Sequence, residues 1–237
     1  MNNVFGMTID GKHTSSFGLL MESMYIPQPD PKINEIEVLG LSGTVDFSEV
    51  TGELYYENRK GLEFVFSVID GGYDAWSRIY SRVSMWIHGK KVKVILDNDT
   101  SYYYVCRLQV DSKKSDETLS KIVLSGTAES FKYELCASDE DWLWDSFNFE
   151  TGVIRELAEV EITAENQSVV IAGGGKPQPV DITVKTSNDL ILQYKDRAYV
   201  LNIGYYHLPM VRVGDLDVEL TFTGTGVISI HYRGAYL

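Results

Sequence analysis

The hydrophobic positions of this chain mostly recur with a period of two, the spacing of a β-strand whose successive side chains point to opposite faces. Apolar and polar residues alternate over residues 91–96 and again over 104–110, on either side of Asp97-Asn98-Asp99. Asx side chains cap local backbone in turns, so this pattern predicts a β-hairpin over residues 91–110. Further strands are predicted in the first half of the chain at residues 36–38, 62–68, 119–127 and 131–135.

A different segment has helical periodicity. Its apolar side chains recur every three or four positions and form one face: Trp76, Ile79, Tyr80, Val83, Trp86 and Ile87. We therefore predict a helix over residues 74–88, with Asp74 as the N-cap and Gly89 in the left-handed conformation after the last turn. An aromatic stripe at this spacing indicates a helix packed against a sheet rather than a cofactor site.

The second half of the chain contains short apolar strands separated by turn residues, which is typical of an antiparallel β-sandwich. The predicted strands lie at residues 160–162, 169–171, 180–184, 190–192, 199–203, 218–222 and 228–232. Glycine runs at 173–175 and 224–226 are predicted turns between them.

The alternation stops in an acidic segment at residues 138–150, which we predict to be a domain junction. The sequence therefore predicts a mainly β protein with two β-domains. Residues 1–137 form a β-sandwich-like domain with one helix at about 74–88, and residues 151–237 form an antiparallel β-sandwich.

The charge of the chain is strongly acidic, with a formal net charge of −13 and a pI of about 4.7. This argues against specific nucleic-acid binding, which needs a basic surface, and against docking on anionic membranes. The sequence contains no apolar run long enough to span a membrane and no secretory signal pattern. Cys106 and Cys136 do not form a disulfide framework, so we expect a buried thiol at Cys106 and synthesis in a reducing cytoplasm.

None of the motifs in the sequence predicts a catalytic residue, a cofactor or a metal site. The glycine run before Lys176 resembles a phosphate loop, but Pro177 follows where Ser or Thr is required. The acidic residues 139–141, with Asp145, lack the spacing of a calcium loop and are predicted to be a charged linker. No metal-ligand spacing relates the four histidines, which are His13, His88, His207 and His231.

Two groups of residues are candidate surfaces. The first lies in a loop predicted between strands and is a candidate assembly interface: Tyr55, Tyr56, Arg59 and Lys60. The second is a candidate platform for stacking sugar rings: Trp142, Trp144, Tyr205 and Tyr206. Aromatic side chains also dominate hydrophobic cores and protein interfaces, so their presence does not decide between these roles.

Three stretches carry motifs whose order is informative. Residues 9–49 run from IDGKHTSSFGLL through a proline-containing stretch to VLGLSGTVDFSE, residues 124–134 read LSGTAESFKYE, and residues 208–237 read LPMVRVGDLDVELTFTGTGVISIHYRGAYL. Together with the helix and hairpin, this order resembles the distal tail proteins, the hub family of siphophage tail tips. In the last stretch Asp215 or Asp217 stands where the family usually has Asn.

This resemblance implies a first β-domain that forms a homo-hexameric ring and a second, galectin-like or carbohydrate-module-like sandwich. It implies a place at the virion tail tip after synthesis in the host bacterium. The implied partners are the tail tube protein, the tail-tip or fibre protein and the tape-measure protein, with DNA passing through the ring.

Other functions stay open at this stage. A carbohydrate-binding β-sandwich that recognises a host cell-wall sugar is the main alternative, followed by another tail protein such as a tube subunit, and then an enzyme. Fold similarity to sugar-binding modules does not by itself establish sugar binding.

Overall fold

Strands dominate the computed structural model, which describes residues 5–68, 72–111, 115–116, 119–141, 152–163 and 165–237. Backbone contacts divide the chain into two compact units, Met1–Asp99 with Tyr103–Lys132 and Leu237, and Thr100–Tyr102 with Tyr133–Tyr236. Most of the predicted junction, residues 142–150, lies outside the described residues, so the domain boundaries stay a prediction.

The first unit is built on a sheet with strand order β2-β1-β7-β8-β10-β6-β3, with β9 paired to β10 and with β4 and β5 forming a separate hairpin. Its elements are β1 (Met7–Ile9), β2 (Lys12–His13), β3 (Leu19–Tyr25), β4 (Glu35–Glu37), β5 (Thr44–Asp46), β6 (Arg59–Val68), α1 (Tyr73–Ile87), β7 (Lys91–Leu96), β8 (Tyr102–Val110), β9 (Ser115–Asp116) and β10 (Leu119–Glu134). The predicted hairpin over residues 91–110 is confirmed as the antiparallel pair β7 and β8.

Helix α1 packs its apolar stripe against this sheet. Trp76, Val83 and Ile87 are buried in the same hydrophobic core as Phe64 and Phe66 of β6. The indole Nε1 of Trp76 also donates a hydrogen bond to a β10 carbonyl 3.1 Å away. The predicted helix and its buried face are therefore confirmed.

The predicted N-cap of α1 is wrong. Gly72 occupies the cap position without a side-chain hydrogen bond, and Asp74 lies within the first turn. The Asp74 carboxylate still interacts favourably with the positive end of the helix dipole. An acidic residue near the start of a helix therefore fits either the cap or the first turn, and the sequence did not distinguish these positions. The prediction for Gly89 is confirmed, because its φ is +76°.

The two strands predicted at 119–127 and 131–135 form one continuous strand, β10. A register shift at Gly126/Thr127 bends it against β6. A Cβ on Gly126 would lie 2.1 Å from the carbonyl oxygen of Arg107, so glycine allows a close backbone approach here rather than a turn.

The second unit contains a six-stranded sheet made of β11 (Val160–Ile162), β12 (Gln167–Ile171), β13 (Gln178–Tyr194), β14 (Arg197–Val200), β15 (Gly204–Val213) and β16 (Val218–His231). The long strands β13 and β16 pair with each other. The last strand, β17 (Ala235–Tyr236), pairs with β10 instead. The first half of β13 also pairs with β15, and its second half pairs with β14. The first half of β16 pairs with β12, and its second half pairs with β11.

A shared bend in β13 and β16 turns this sheet into a sandwich. The register between them shifts twice over residues 184–191, and Asp189 and Gly224 both have positive φ at the bend. Buried side chains from both halves, such as Ile182 and Phe222, belong to one hydrophobic core. The sheet therefore folds over on itself and buries its own inner face.

The predicted strand breaks in this half need correction. Residues 180–184 and 190–192 belong to one strand, and so do 218–222 and most of 228–232. The predicted glycine turn at 224–226 lies inside β16, where a Cβ on Gly224 would be 2.2 Å from the carbonyl oxygen of Asp189. Glycine is required by this contact and by positive φ, which sequence alone does not distinguish from a turn. The prediction of a mainly β fold with one α-helix is confirmed across the part of the chain that the structure describes.

We expect Gly224→Ala to lower the free energy of unfolding of the second unit by about 3 kcal/mol, because strain at positive φ adds to a backbone clash. Gly204→Ala is the matched control, since Gly204 has a φ of +147° in the same unit but no atom within 4 Å of the added Cβ. The control loses about 1 kcal/mol. Urea denaturation followed by circular dichroism measures both, and equal losses would contradict the role given to the contact.

Candidate functional site

A hairpin arm, defined as residues 30–57, extends from the first unit between β3 and β6. Backbone hydrogen bonds close its base, from Lys32 N to the Tyr55 carbonyl and from Glu57 N to the Asp30 carbonyl, both at 2.8 Å. Further out, β4 and β5 pair antiparallel, with Ile36 opposite Val45. The arm is therefore a two-stranded ribbon with a closed base.

Exposure distinguishes the arm from the rest of the unit. No residue between positions 30 and 58 is buried. Large apolar side chains are nevertheless exposed along it: Ile33, Ile36, Val38, Leu39, Leu41, Phe47, Val50 and Tyr55. An isolated two-stranded hairpin is marginally stable, and a contiguous exposed apolar surface usually marks an interaction site. The arm is the main candidate functional surface of the first unit.

A buried arginine fixes the base of the arm. The side chain of Arg59 is 1% exposed, and burial lowers its pKa from the ordinary value. Its guanidinium donates to the carbonyl oxygens of Pro27 at 2.8 Å and Ser130 at 3.1 Å. The Ser130 hydroxyl in turn donates to the carbonyl oxygen of Tyr56. These bonds connect both limbs of the arm to β10, so the arm leaves the sheet in a defined direction.

The four residues of the predicted interface differ in their exposure. Tyr55 is exposed at the arm base, and the ring of Tyr56 packs edge-on against Phe131 with centroids 5.9 Å apart. The loop predicted for Arg59 and Lys60 is wrong, because both begin strand β6. Arg59 is buried there, with Nε and Nη1 bonded to backbone carbonyls and Nη2 without a partner among the described residues. Lys60 is exposed and forms an ion pair with Glu57 of the arm.

The predicted sugar platform is not assembled from its described members. Tyr205 and Tyr206 are adjacent in β15 and therefore point to opposite faces. Tyr205 is 65% exposed, whereas Tyr206 packs against the core of the second unit and its hydroxyl oxygen accepts a hydrogen bond from Asn202 N. Trp142 and Trp144 lie outside the described residues.

Three of the four histidines pair with aspartates. The Nδ1 atoms of His207 and His231 lie 2.5 Å from Asp181 and 2.7 Å from Asp139, and His13 Nε2 lies 3.0 Å from Asp97. Each of these three histidines is therefore held by a carboxylate. His88 Nδ1 accepts a bond from the Val110 N–H.

The described residues include no group of three or more metal-ligating side chains that could hold an ion. Within that same part of the chain, no helix is long and apolar enough to cross a membrane. The glycine run 173–175 lies in the connection between β12 and β13, as predicted. Both cysteines are free, and burial raises the pKa of the Cys106 thiol to about 12.

Sequence reasoning missed a buried ion pair in the second unit. Arg155 Nη1 lies 2.6 Å from Glu134 Oε2, with the two side chains only 3% and 13% exposed. Arg155 also donates to the carbonyl oxygens of Ala172 and Gly173. Glu134 accepts from Gly234 N. The pair thus joins the end of β10, the glycine run and the C-terminal segment.

Two tyrosines complete this cluster. The Tyr232 ring lies under the Arg155 guanidinium, 4.9 Å from its carbon to the ring centroid, and the Tyr232 hydroxyl donates to the Gly174 carbonyl. The Tyr236 hydroxyl donates to Glu134. Burial raises the pKa of Tyr232 to about 12 and also raises the pKa of Tyr236. Glu134 and Tyr236 lie within the sequence stretches 124–134 and 208–237 that resemble the distal tail proteins. No spacing pattern in the sequence relates either residue to Arg155.

We expect Arg155→Met to lower the free energy of unfolding by about 3 to 5 kcal/mol, because it leaves the Glu134 carboxylate buried without its counter-ion. Lys60→Met, which breaks the exposed pair with Glu57, leaves the free energy of unfolding nearly unchanged, because solvent screens that pair. Urea denaturation measures both. The double variant Glu134→Gln/Arg155→Met recovers part of the loss, and a double variant less stable than Arg155→Met would contradict the pairing.

Alkaline unfolding tests the buried hydroxyl of Tyr232. Its pKa is higher in the folded chain than the ordinary value of 10.0, so the folded state holds this proton more tightly and stability is lost as pH rises from about 10 to about 12. Tyr232→Phe is expected to lose stability less steeply over that range than the wild-type chain. Tyr25→Phe, at an exposed position, is the control. Equal slopes for Tyr232→Phe and the wild type would refute the assignment.

Comparison with known proteins gives a structural relationship without a sequence match. No protein-family profile and no curated protein matches the chain. Among solved structures, the chain is similar to SPP1 Dit (gp 19.1), described as a paradigm of the hub adsorption apparatus in phages that infect Gram-positive bacteria. The TM-score is 0.65 at 15% identity, covering 99% of this chain and 100% of that one. The resemblance to a phage tail hub, predicted from the order of the motifs, is confirmed at the level of the fold.

Proposed function

We propose that this chain is a structural hub of a long-tailed phage tail tip, where six copies close a ring that joins the tail tube to the tip complex. The observation that carries the proposal is the arm, which presents a row of large apolar side chains without burying any of them. The similarity to SPP1 Dit over nearly the whole of both chains supports the same role.

The arm is suited to self-assembly because it is ordered before it meets a partner. Its backbone is closed at the base and anchored through Arg59, so docking orders few additional residues. A preorganised element loses less conformational entropy on association than a disordered tail does. In a cyclic assembly one surface of each copy fits a different surface of the next, and a projecting arm provides one side of that contact.

The acidic composition fits a ring that lets DNA pass. Six copies of a chain with net charge −13 carry a formal charge of −78. Lysines and arginines that neutralise phosphates give salt-dependent affinity, which would hold the duplex in the channel. We therefore propose that pore-facing residues are mostly acidic or uncharged. The tail tube protein, the tail-tip or fibre protein and the tape-measure protein are the proposed partners.

Carbohydrate binding by the second unit is the second candidate function. Tyr205 stands exposed on the outer face of β15, where its hydroxyl is hydrogen-bonded to Asp181. Asp181 also lies 2.5 Å from His207. An exposed aromatic ring beside acidic and imidazole side chains matches what sugar recognition uses. This surface is independent of the arm, so both functions can coexist in one chain.

Ring formation is expected in concentrated solution or on addition of neighbouring tail proteins, with a mass of about 160 kDa for six copies of 26.7 kDa. Replacing residues 35–46 with a short Gly-Ser turn keeps the closing hydrogen bonds at the base and removes the ribbon. That variant is expected to stay monomeric in light scattering because it lacks the outer apolar side chains Ile36, Val38, Leu39 and Leu41.

Leu39→Ser and Leu41→Ser test the same surface more gently, and Leu216→Ser is the matched control because Leu216 is an exposed leucine in the second unit. The arm variants weaken assembly and the control does not. Rings that form equally well without residues 35–46 would rule out the arm as the assembly element, and negative-stain images distinguish six copies from other numbers.

A further inference from the structure

The arm is as acidic as it is apolar. Residues 30–57 contain seven acidic residues and one lysine, a formal net charge of −6 within 28 residues. Glu35 and Asp46 face each other across the ribbon, and Glu37 follows on the same face of β4. Ile36 and Val45 pair on the opposite face. Whatever surface accepts this arm must therefore combine apolar area with positive charge.

The same unit presents a surface of the opposite charge. Residues 75–96, which cover most of α1 and all of β7, contain five basic residues and no acidic one, a formal net charge of +5 in a chain whose total is −13. Within this stretch Arg78, Arg82 and Met85 follow at helical positions i, i+4 and i+7, so they form one stripe. All three are exposed, and Met85 is 82% exposed.

Within the described part of the chain, neither Arg78 nor Arg82 forms an ion pair. Arg82 lies over the ring of Phe17 at 5.2 Å, which is a cation–π contact and not an ion pair. Lys90 reaches the carbonyl of Met85 at the end of the helix. Lys91 is ion-paired with Glu129, and Lys93 lies over the ring of Tyr103. Asp74, one turn before Arg78, is the acidic residue of the helix itself.

We propose that the arm of one copy docks on this basic stripe of α1 in the next copy, with Glu35, Glu37 and Asp46 facing Arg78 and Arg82. Every residue of the arm is exposed or half-buried within its own chain, so its surface is accessible to a second copy. The two surfaces are different and lie on the same unit. Pairing between copies is therefore head-to-tail, the arrangement that closes into a ring when the rotation is right. This inference rests on the proposed self-assembly and specifies which surfaces meet.

Pairing by opposite charge is tested by reversing the charge of each surface in turn and then of both together. Glu35→Lys/Glu37→Lys changes the formal charge of the Glu35, Glu37 and Asp46 face from −3 to +1, and Arg78→Glu/Arg82→Glu changes that of the stripe from +2 to −2. In either double variant alone, every arm meets a stripe of like charge. In an equimolar mixture each variant's arm meets the other's stripe with opposite charge, so an alternating ring of three and three satisfies all six contacts. The quadruple variant restores the attraction within a single species.

Assembly of the full-length chains is measured by sedimentation velocity at low and at high salt. Each double variant alone is expected to associate at least about tenfold more weakly than the wild type, and the mixture and the quadruple variant are expected to recover most of that loss. Wild-type association weakens as salt rises, because these exposed charges are screened. Glu165→Lys/Asp196→Lys is the control, since it makes the same charge change as the arm variant on exposed residues of the second unit.

The outcomes separate this inference from the proposed ring. A wild-type chain that assembles while both double variants assemble equally well overturns the pairing and leaves the ring standing. Weakened double variants without recovery in the mixture or in the quadruple variant also overturn it, because the two surfaces then contact something other than each other. A wild-type chain that stays monomeric under every condition overturns both. Circular dichroism and thermal melting confirm that each variant is folded.

Discussion

The ion pair between Glu134 and Arg155 lies where three segments of the second unit meet, beside the pairing of β17 with β10 and the bridge between Gly175 and Ala235. It brings the end of β10, the glycine run before β13 and the residues before β17 to one buried point. A buried ion pair gives little net stability compared with apolar residues, but each partner becomes strongly destabilising without the other. The pair therefore acts as a positional constraint. Arg155 holds the glycine run through the Gly173 carbonyl, and Glu134 holds the residues before β17 through the Gly234 N–H.

Arg59 in the first unit illustrates a different use of a buried guanidinium. It donates to backbone carbonyls and lies 5.6 Å from the ring of Tyr104. Carbonyl dipoles fix its direction, so the chain on both sides of the arm is located relative to β10. Arg155 thus holds segments of the second unit together, whereas Arg59 fixes the direction in which the arm leaves the sheet of the first unit. Both depend on the same planar set of donors, which lysine does not offer.

Periodicity predicted the elements well where the side chains of one face are buried, as in α1 and the β7–β8 hairpin. It failed at Gly224, which looks like a turn residue in sequence but lies inside strand β16, where it allows a close approach of two backbones. The same local signal also placed Arg59 in a loop, since a charged residue after two tyrosines gives no hint of burial. The arm itself was visible only as weak alternation around Ile36 and Val38. Its exposure is a tertiary property, since no element in the described part of the chain buries it. The Glu134–Arg155 pair joins residues from different segments and has no spacing pattern to detect.

The negative charge of the arm has a consequence for the free chain in the cell. A ribbon with unpaired edges and exposed leucines is the kind of element that adds strands from other copies without limit and produces fibres. When two arms approach edge to edge, each brings a net charge of −6, and like charges opposed across strands destabilise the pairing. Arms are thereby protected from one another during synthesis and storage. Edge-to-edge pairing of arms into fibres is therefore disfavoured even in a concentrated solution of the chain.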